Sequence, residues 1–180
     1  MKMVKVNAKT LFLGLMLIGS VSFINAQTTQ TNSTTQTAAA GSSTIDSLKK
    51  QIEANPKDTE SLAKLATAYQ EASDWTNAVE TWKKISVLLP DWAPSYYSQA
   101  YAYQSAKDDA NAKIAYEKYI ATVKPEEIEQ NKKNLAYAYF YVAFSEQKTD
   151  PAKAKEHIAK SLQYDPTNEE AIKLSKALNS

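Results

Sequence analysis

The chain has 180 residues, with 21 lysines, no arginine, 20 acids, one histidine and no cysteine. Without cysteine there are no disulfides, no thiol catalysis and no Cys-based zinc site, and the lone His157 excludes a multi-histidine metal centre within one chain. A near-neutral chain without arginine lacks the side chain best suited to bidentate phosphate and base contacts, so no nucleic-acid partner is expected.

Residues 1–26 have the order of an export signal. Lys2, Lys5 and Lys9 form a basic start, Leu11 to Ile18 is apolar apart from Gly14, and Asn25-Ala26-Gln27 offers a small residue before a cut. The apolar stretch is short for a membrane span, which needs about 20 residues. Cleavage after Ala26 is therefore predicted, giving a periplasmic or secreted chain that meets the membrane only through the signal. With no cysteine at the junction, a lipoprotein anchor is not expected. The Ala-Gln junction resembles those of exported proteins in the Bacteroidetes group. Residues 27–43, almost all Gln, Thr, Ser, Asn, Ala and Gly, have nothing to bury and predict a disordered tether.

From Thr44 the pattern becomes helical. Ile45, Leu48 and Ile52 recur at helical spacing, and Asn55-Pro56 ends this leading helix, because a residue before proline is pushed out of the helical region. Prolines 90, 125 and 166 close later segments in the same way, at intervals of 34, 35 and 41 residues. A period near 34 with paired helices predicts an all-α solenoid. The units fall at about 59–92, 93–125 and 126–166, followed by a last helix over 167–179. There Thr167-Asn168-Glu169-Glu170 reads as a capping box. Asp150-Pro151 predicts a capped helix start with proline in its first turn.

These residues resemble the tetratricopeptide-repeat (TPR) family throughout 44–180. Leu62, Leu65, Ala66 and Tyr69 match the packing positions of a first helix, and Ala78 and Trp82 the small and aromatic positions of a second. Tyr96, Ala100, Tyr103, Ala112 and Tyr116 repeat the pattern, and Ala154, Ile158 and Pro166 carry it into the third unit. The resemblance implies a TPR α-solenoid of about three helix-turn-helix repeats between a leading helix and a C-terminal capping helix. One repeat cannot bury its own apolar face, so the small residues let neighbours approach and the large ones fill the space left.

Two departures stand out. Ile85 and Tyr119 occupy second-helix positions that are usually alanine, which predicts looser or differently angled packing around the second unit. The third unit is longer by about two helical turns. Residues 126–148 therefore read either as one long helix or as a short helix hinged at Asn131-Lys132-Lys133-Asn134, in a stretch crowded with Tyr137, Tyr139, Phe140, Tyr141 and Phe144.

Nothing in the chain reads as a catalytic constellation or a cofactor site. His157 lies in a helical pattern and predicts an ordinary surface or half-buried side chain. Asp108-Asp109 and Glu126-Glu127 sit at helix starts, where acids favour the dipole. The family resemblance implies a non-catalytic scaffold that holds a protein partner in the groove lined by the first helices. In family register that groove carries Glu60, Ala63, Thr67 and Gln70, then Pro94, Tyr97, Tyr101 and Gln104, then Ala136, Tyr139, Ala143 and Glu146. The lysine and asparagine clamp of the chaperone-binding subfamily is absent, since Ala63, Thr67 and Ser98 stand at the matching places. Tyr97, Tyr101, Gln104, Thr67, Gln70 and Tyr139 are the candidate partner-binding residues. A monomer or weak homo-oligomer is expected, the alternatives being a self-associating structural protein or an accessory subunit of an envelope enzyme or transport system.

Overall fold

The computed structural model describes residues 33–180, with side chains described from Ser43 onwards. The export signal and the first residues of the tether lie outside the described residues. Among the described residues, eight α-helices follow one another: α1 (Ser33–Ala54), α2 (Thr59–Glu71), α3 (Trp75–Leu88), α4 (Ala93–Ser105), α5 (Asp109–Thr122), α6 (Ile128–Glu146), α7 (Pro151–Tyr164) and α8 (Glu169–Asn179). A 3-10 turn, Pro125–Glu127, precedes α6. Helix α1 starts well before Thr44, within the stretch read as tether; Ala38-Ala39-Ala40 are strong helix formers that allow it. Its described side chains begin to be buried only at Leu48. Among the described residues, no helix is long and apolar enough to cross a membrane.

Within the compact unit Gly41–Ser180, each helix from α2 to α8 packs on the next in chain order. That is the arrangement expected of a solenoid. The small residues sit at the crossings: Ala66, Ala78, Ala100, Ala112 and Ala154 are fully buried. Trp82, Tyr116 and Ile158, each four residues after such an alanine, fill the space beside them.

The repeat extends to the turns. Asp74 and Asp108 cap α3 and α5 by accepting from the backbone N–H of Asn77 and Asn111, each at 3.2 Å. The preceding residues, Ser73 and Lys107, adopt left-handed φ of 58° and 61°. In both turns the next amide bonds back to the helix just ended, Asp74 N–H to the Tyr69 carbonyl and Asp108 N–H to that of Tyr103. Asp150 caps α7, with Pro151 in its first turn. At α8 the cap is Asn168, which accepts from Ala171 N–H at 3.0 Å, while Thr167 bonds Asp165 instead. The expected box is thus not formed, because with Asn168 as the cap the third residue on is Ala171, whose side chain has no acceptor to return the bond.

The two departures explain each other. Helix α6 is continuous over 19 residues, against 13 in α2 and in α4, with no hinge at Asn131–Asn134. Its added N-terminal turns lie over Tyr119, whose ring is fully buried and whose hydroxyl donates to Asn131 Oδ1 at 3.1 Å. Asn131 in turn donates from Nδ2 to the Glu127 carbonyl at 2.8 Å. The looser packing expected around Ile85 and Tyr119 is not found: both are 0% exposed. Where the family usually keeps alanine, a tyrosine fills the volume under the longer helix.

Candidate functional site

The first helix of each pair leaves one side open. On α2 and α4 it carries Glu60, Lys64 and Thr67, then Pro94, Tyr101, Gln104 and Ser105, all exposed or half-buried. Tyr101 packs edge-on against Trp75, with centroids 6.1 Å apart. Thr67 turns its hydroxyl back to the Ala63 carbonyl at 3.0 Å.

The two glutamines of the expected groove are structural as much as accessible. Gln70 Oε1 accepts from Trp82 Nε1 at 3.2 Å. Gln104 Oε1 accepts from the Tyr116 hydroxyl at 3.0 Å, and its Nε2 donates to the Tyr137 hydroxyl at 2.7 Å. Each ties a first helix to the large residue twelve positions on, and Gln104 also reaches the next repeat.

Tyr97 does not lie free on the open side. Its ring meets those of Tyr116 and Tyr119 edge-on at 5.6 and 5.1 Å, and burial pushes its hydroxyl pKa up to about 12. Burial raises Tyr116 and Tyr119 as well. Tyr141 is raised by burial and by donating to Asp109 Oδ1 at 2.8 Å, which accounts for the second acid of the Asp108-Asp109 pair. Tyr97, half-buried, thus packs against the inter-repeat core, whereas Tyr101, equally half-buried, packs against Trp75.

In the third repeat the open side is not the expected one. Ala136 and Ala143 are buried at the crossing with α7, where Ser161 Oγ donates to the Ala136 carbonyl at 2.8 Å. Tyr139 stacks on Tyr164 with centroids 5.9 Å apart and tilts against His157, also at 5.9 Å. Glu146 is only 5% exposed. The small residues mark where α7 approaches, so the groove assignment of Tyr139 fails for a packing reason. The open side of α6 carries Lys133, Tyr137, Phe140 and Phe144 instead, at spacings of three and four. Phe144 is 55% exposed, one of the few large apolar side chains left in solvent. That spacing, in a stretch already conspicuous for its aromatics, is the signal by which the sequence could have shown it.

Among the described residues, a buried charge cluster lies among α5, α6 and α7. Glu146 accepts from Lys113 Nζ at 3.0 Å on one oxygen, and His157 Nδ1 lies 2.7 Å from the other. Lys113 also pairs with Glu117 at 2.6 Å. Burial alone would lower the Lys113 pKa, but the bonds to Glu117 and Glu146 outweigh it and raise it. An open depression of about 500 Å³ lies beside this cluster, lined by Tyr139, His157, Lys160 and Gln163 among others. The cluster joins three helices, which is a sufficient structural role for its only histidine. Glu146 stands where the two earlier repeats have Gln70 and Gln104.

A sequence profile described as tetratricopeptide repeat matches residues 95–123, which span α4 and α5. Those residues thus match one tetratricopeptide repeat, and the chain has the helical solenoid fold of tetratricopeptide-repeat proteins. Similar solved structures bear out the fold. The crystal structure of a MamA protein is 23% identical, covers 81% of this chain and 75% of its own, and has a TM-score of 0.64. The C-terminal part of a TPR repeat-containing protein from Cytophaga hutchinsonii is 28% identical over 72% of this chain, with a TM-score of 0.64; the match spans 52% of that protein's chain. The first TPR of Spaghetti (RPAP3), solved bound to the HSP90 peptide SRMEEVD, is 20% identical, covers 68% of this chain and 94% of its own, and has a TM-score of 0.53. No curated protein matches by sequence. TPR arrays generally serve as non-catalytic scaffolds for protein–protein interaction.

Proposed function

We propose that this protein is an exported, non-catalytic scaffold that binds a protein partner along the open side of α4 and α6. The observation that carries the reading is the row of Tyr101, Gln104, Tyr137, Phe140 and Phe144, which leaves aromatic surface uncovered on adjacent first helices. Aromatic side chains offer large contact area at small entropic cost, and large residues of this kind dominate binding surfaces. The chaperone-type carboxylate clamp is not expected, because Ala63, Thr67 and Ser98 occupy its places. The partner is therefore of a different kind from the acidic peptide held by the Spaghetti repeat.

The Lys-rich start, the apolar run and the Asn25-Ala26-Gln27 junction support export with cleavage before Gln27. N-terminal sequencing of the protein from its native envelope or medium tests that part; an intact Met1 in a cytoplasmic fraction overturns it. For binding, affinity capture from envelope extracts is compared between the native chain from Gln27 and a Tyr101→Ser/Phe144→Ser variant of unchanged helicity. A protein recovered by the native chain and lost with the variant supports the open side. Equal recovery by both removes it.

A further inference from the structure

Lys84, Lys118 and Lys160 stand at one position of successive repeats. Each lies six residues after a fully buried alanine, Ala78 in α3, Ala112 in α5 and Ala154 in α7. Lys50 stands 34 residues before Lys84, on the leading helix α1. All four are exposed, and among the described residues none takes part in an ion pair. Lys118 holds its ammonium 5.8 Å over the Tyr96 ring, and Lys160 reaches the Gln163 amide oxygen at 3.4 Å. Equivalent positions of stacked repeats fall in line, so the four lysines form a row along the second helices.

The middle of this row differs from its ends. On α1 and α7 an acid stands one turn before the lysine, Asp46 before Lys50 and Glu156 before Lys160, and Glu53 follows Lys50. On α3 and α5 the nearby acids are already engaged: Glu80 bonds Lys83 at 2.9 Å and Glu117 bonds Lys113 at 2.6 Å. What remains beside Lys84 and Lys118 is apolar. Val87, one turn after Lys84, is 80% exposed, and Ile114, one turn before Lys118, is 52% exposed. Spacings of three and four residues put each on its lysine's side of the helix. A lysine near a helix C-terminus also answers the dipole, but the dipole gives no reason to leave Val87 and Ile114 in water.

An anionic bilayer answers both features at once. Headgroup phosphates take lysine ammoniums as point charges, and an aliphatic side chain one turn away enters the boundary beneath them. A linear polyanion in water would use the lysines alone. We infer that the exposed side of α3 and α5, centred on Lys84, Val87, Ile114 and Lys118 and flanked by Lys50 and Lys160, docks on an anionic lipid bilayer. Such contact needs no spanning helix, and the described residues contain none. The membrane, expected to be met only through the signal, thus gains a second and peripheral contact. This inference is independent of the partner-binding side, which lies on the first helices α4 and α6.

The test mixes the chain from Gln27 with vesicles of phosphatidylcholine alone or with roughly a third phosphatidylglycerol, and measures co-sedimentation at low and high salt. Far-UV circular dichroism confirms that each variant keeps its helices. The native chain should bind the anionic vesicles only, and less at high salt, because salt screens exposed charges. Lys84→Gln/Lys118→Gln should weaken binding about 25-fold, roughly fivefold for each lysine at a bilayer surface. Val87→Ser/Ile114→Ser should weaken it severalfold through lost apolar burial. The control Lys133→Gln/Phe144→Ser, which removes a cation and an apolar side chain from α6, should bind like the native chain. No binding by the native chain, equal binding to neutral vesicles, or loss with the α6 control overturns the inference. Lysine-dependent binding that Val87→Ser/Ile114→Ser leaves intact, and that soluble heparin competes away, assigns the row to a linear polyanion and overturns the bilayer. A native dimer that Val87→Ser/Ile114→Ser converts to monomers assigns the patch to a second copy and overturns it too.

Discussion

Replacing Tyr119 by alanine restores the residue usual at that position in the family, and the structure says that it should nonetheless damage this protein. Tyr119 is 0% exposed, its ring meets that of Tyr97 at 5.1 Å, and its hydroxyl donates to Asn131, itself only 5% exposed. Truncating a buried aromatic side chain costs about 3–5 kcal/mol through lost burial and the cavity left behind. Leaving the Asn131 oxygen without its donor adds about 1–3 kcal/mol if water does not reach it. The total approaches the whole stability of a small domain, roughly 5–15 kcal/mol. Thermal melts followed by far-UV circular dichroism should show a midpoint lower by more than about 10 °C, taking roughly 3–5 °C per kcal/mol for this size. Tyr119→Phe separates the two contributions: it keeps the ring and should cost only about 1 kcal/mol. The double variant with Asn131→Leu should then cost less than the two single changes together. If Tyr119→Ala melts like the native protein, the longer α6 does not depend on this side chain, and the proposed link between the two departures is wrong.

Gln99 occupies the place that Leu65 has one repeat earlier, and its buried Nε2 has no hydrogen-bond partner among the described residues. Gln99→Leu should therefore stabilise the fold by about 1 kcal/mol or more, read as a raised melting midpoint. Lys107 holds a left-handed φ of 61° that glycine adopts without strain. Lys107→Gly should stabilise by roughly 1 kcal/mol, and a lower midpoint would contradict the turn geometry. Tyr97 has its pKa raised from 10.0 to about 12 by burial, so its contribution to stability is full below pH 10 and is lost as pH rises through about 12. Tyr116, Tyr119 and Tyr141 shift in the same direction. Alkaline titration should then show tyrosinate absorbance appearing together with loss of helicity; full ionisation of all tyrosines near pH 10 with helices intact would refute their burial.

The fold was legible in the sequence because its determinants are periodic and local. Prolines at 34- and 35-residue intervals, alanines at the crossings and aspartates at the caps each state their role within a few residues of themselves. The third repeat was harder to read because its facing depends on contacts distant in the chain. Ala136, Tyr139, Ala143 and Glu146 occupy groove positions by register. Their actual neighbours are Ser161, Tyr164, His157 and Lys113, on two other helices. A register transferred from the regular repeats cannot anticipate that α7 covers this face of α6. Tyr97 misled for a related reason. Alanine stands at its place in the first repeat, Ala63, and a tyrosine there looks like surface added for binding. The bulk is taken up instead by Tyr116 and by Tyr119, a tyrosine where the family has alanine. Departures from a repeat consensus are therefore best read together. The longer α6, the large Tyr119 and Tyr97 packed against it form one packing solution, and an aromatic residue it does not use, Phe144, is left uncovered at the surface.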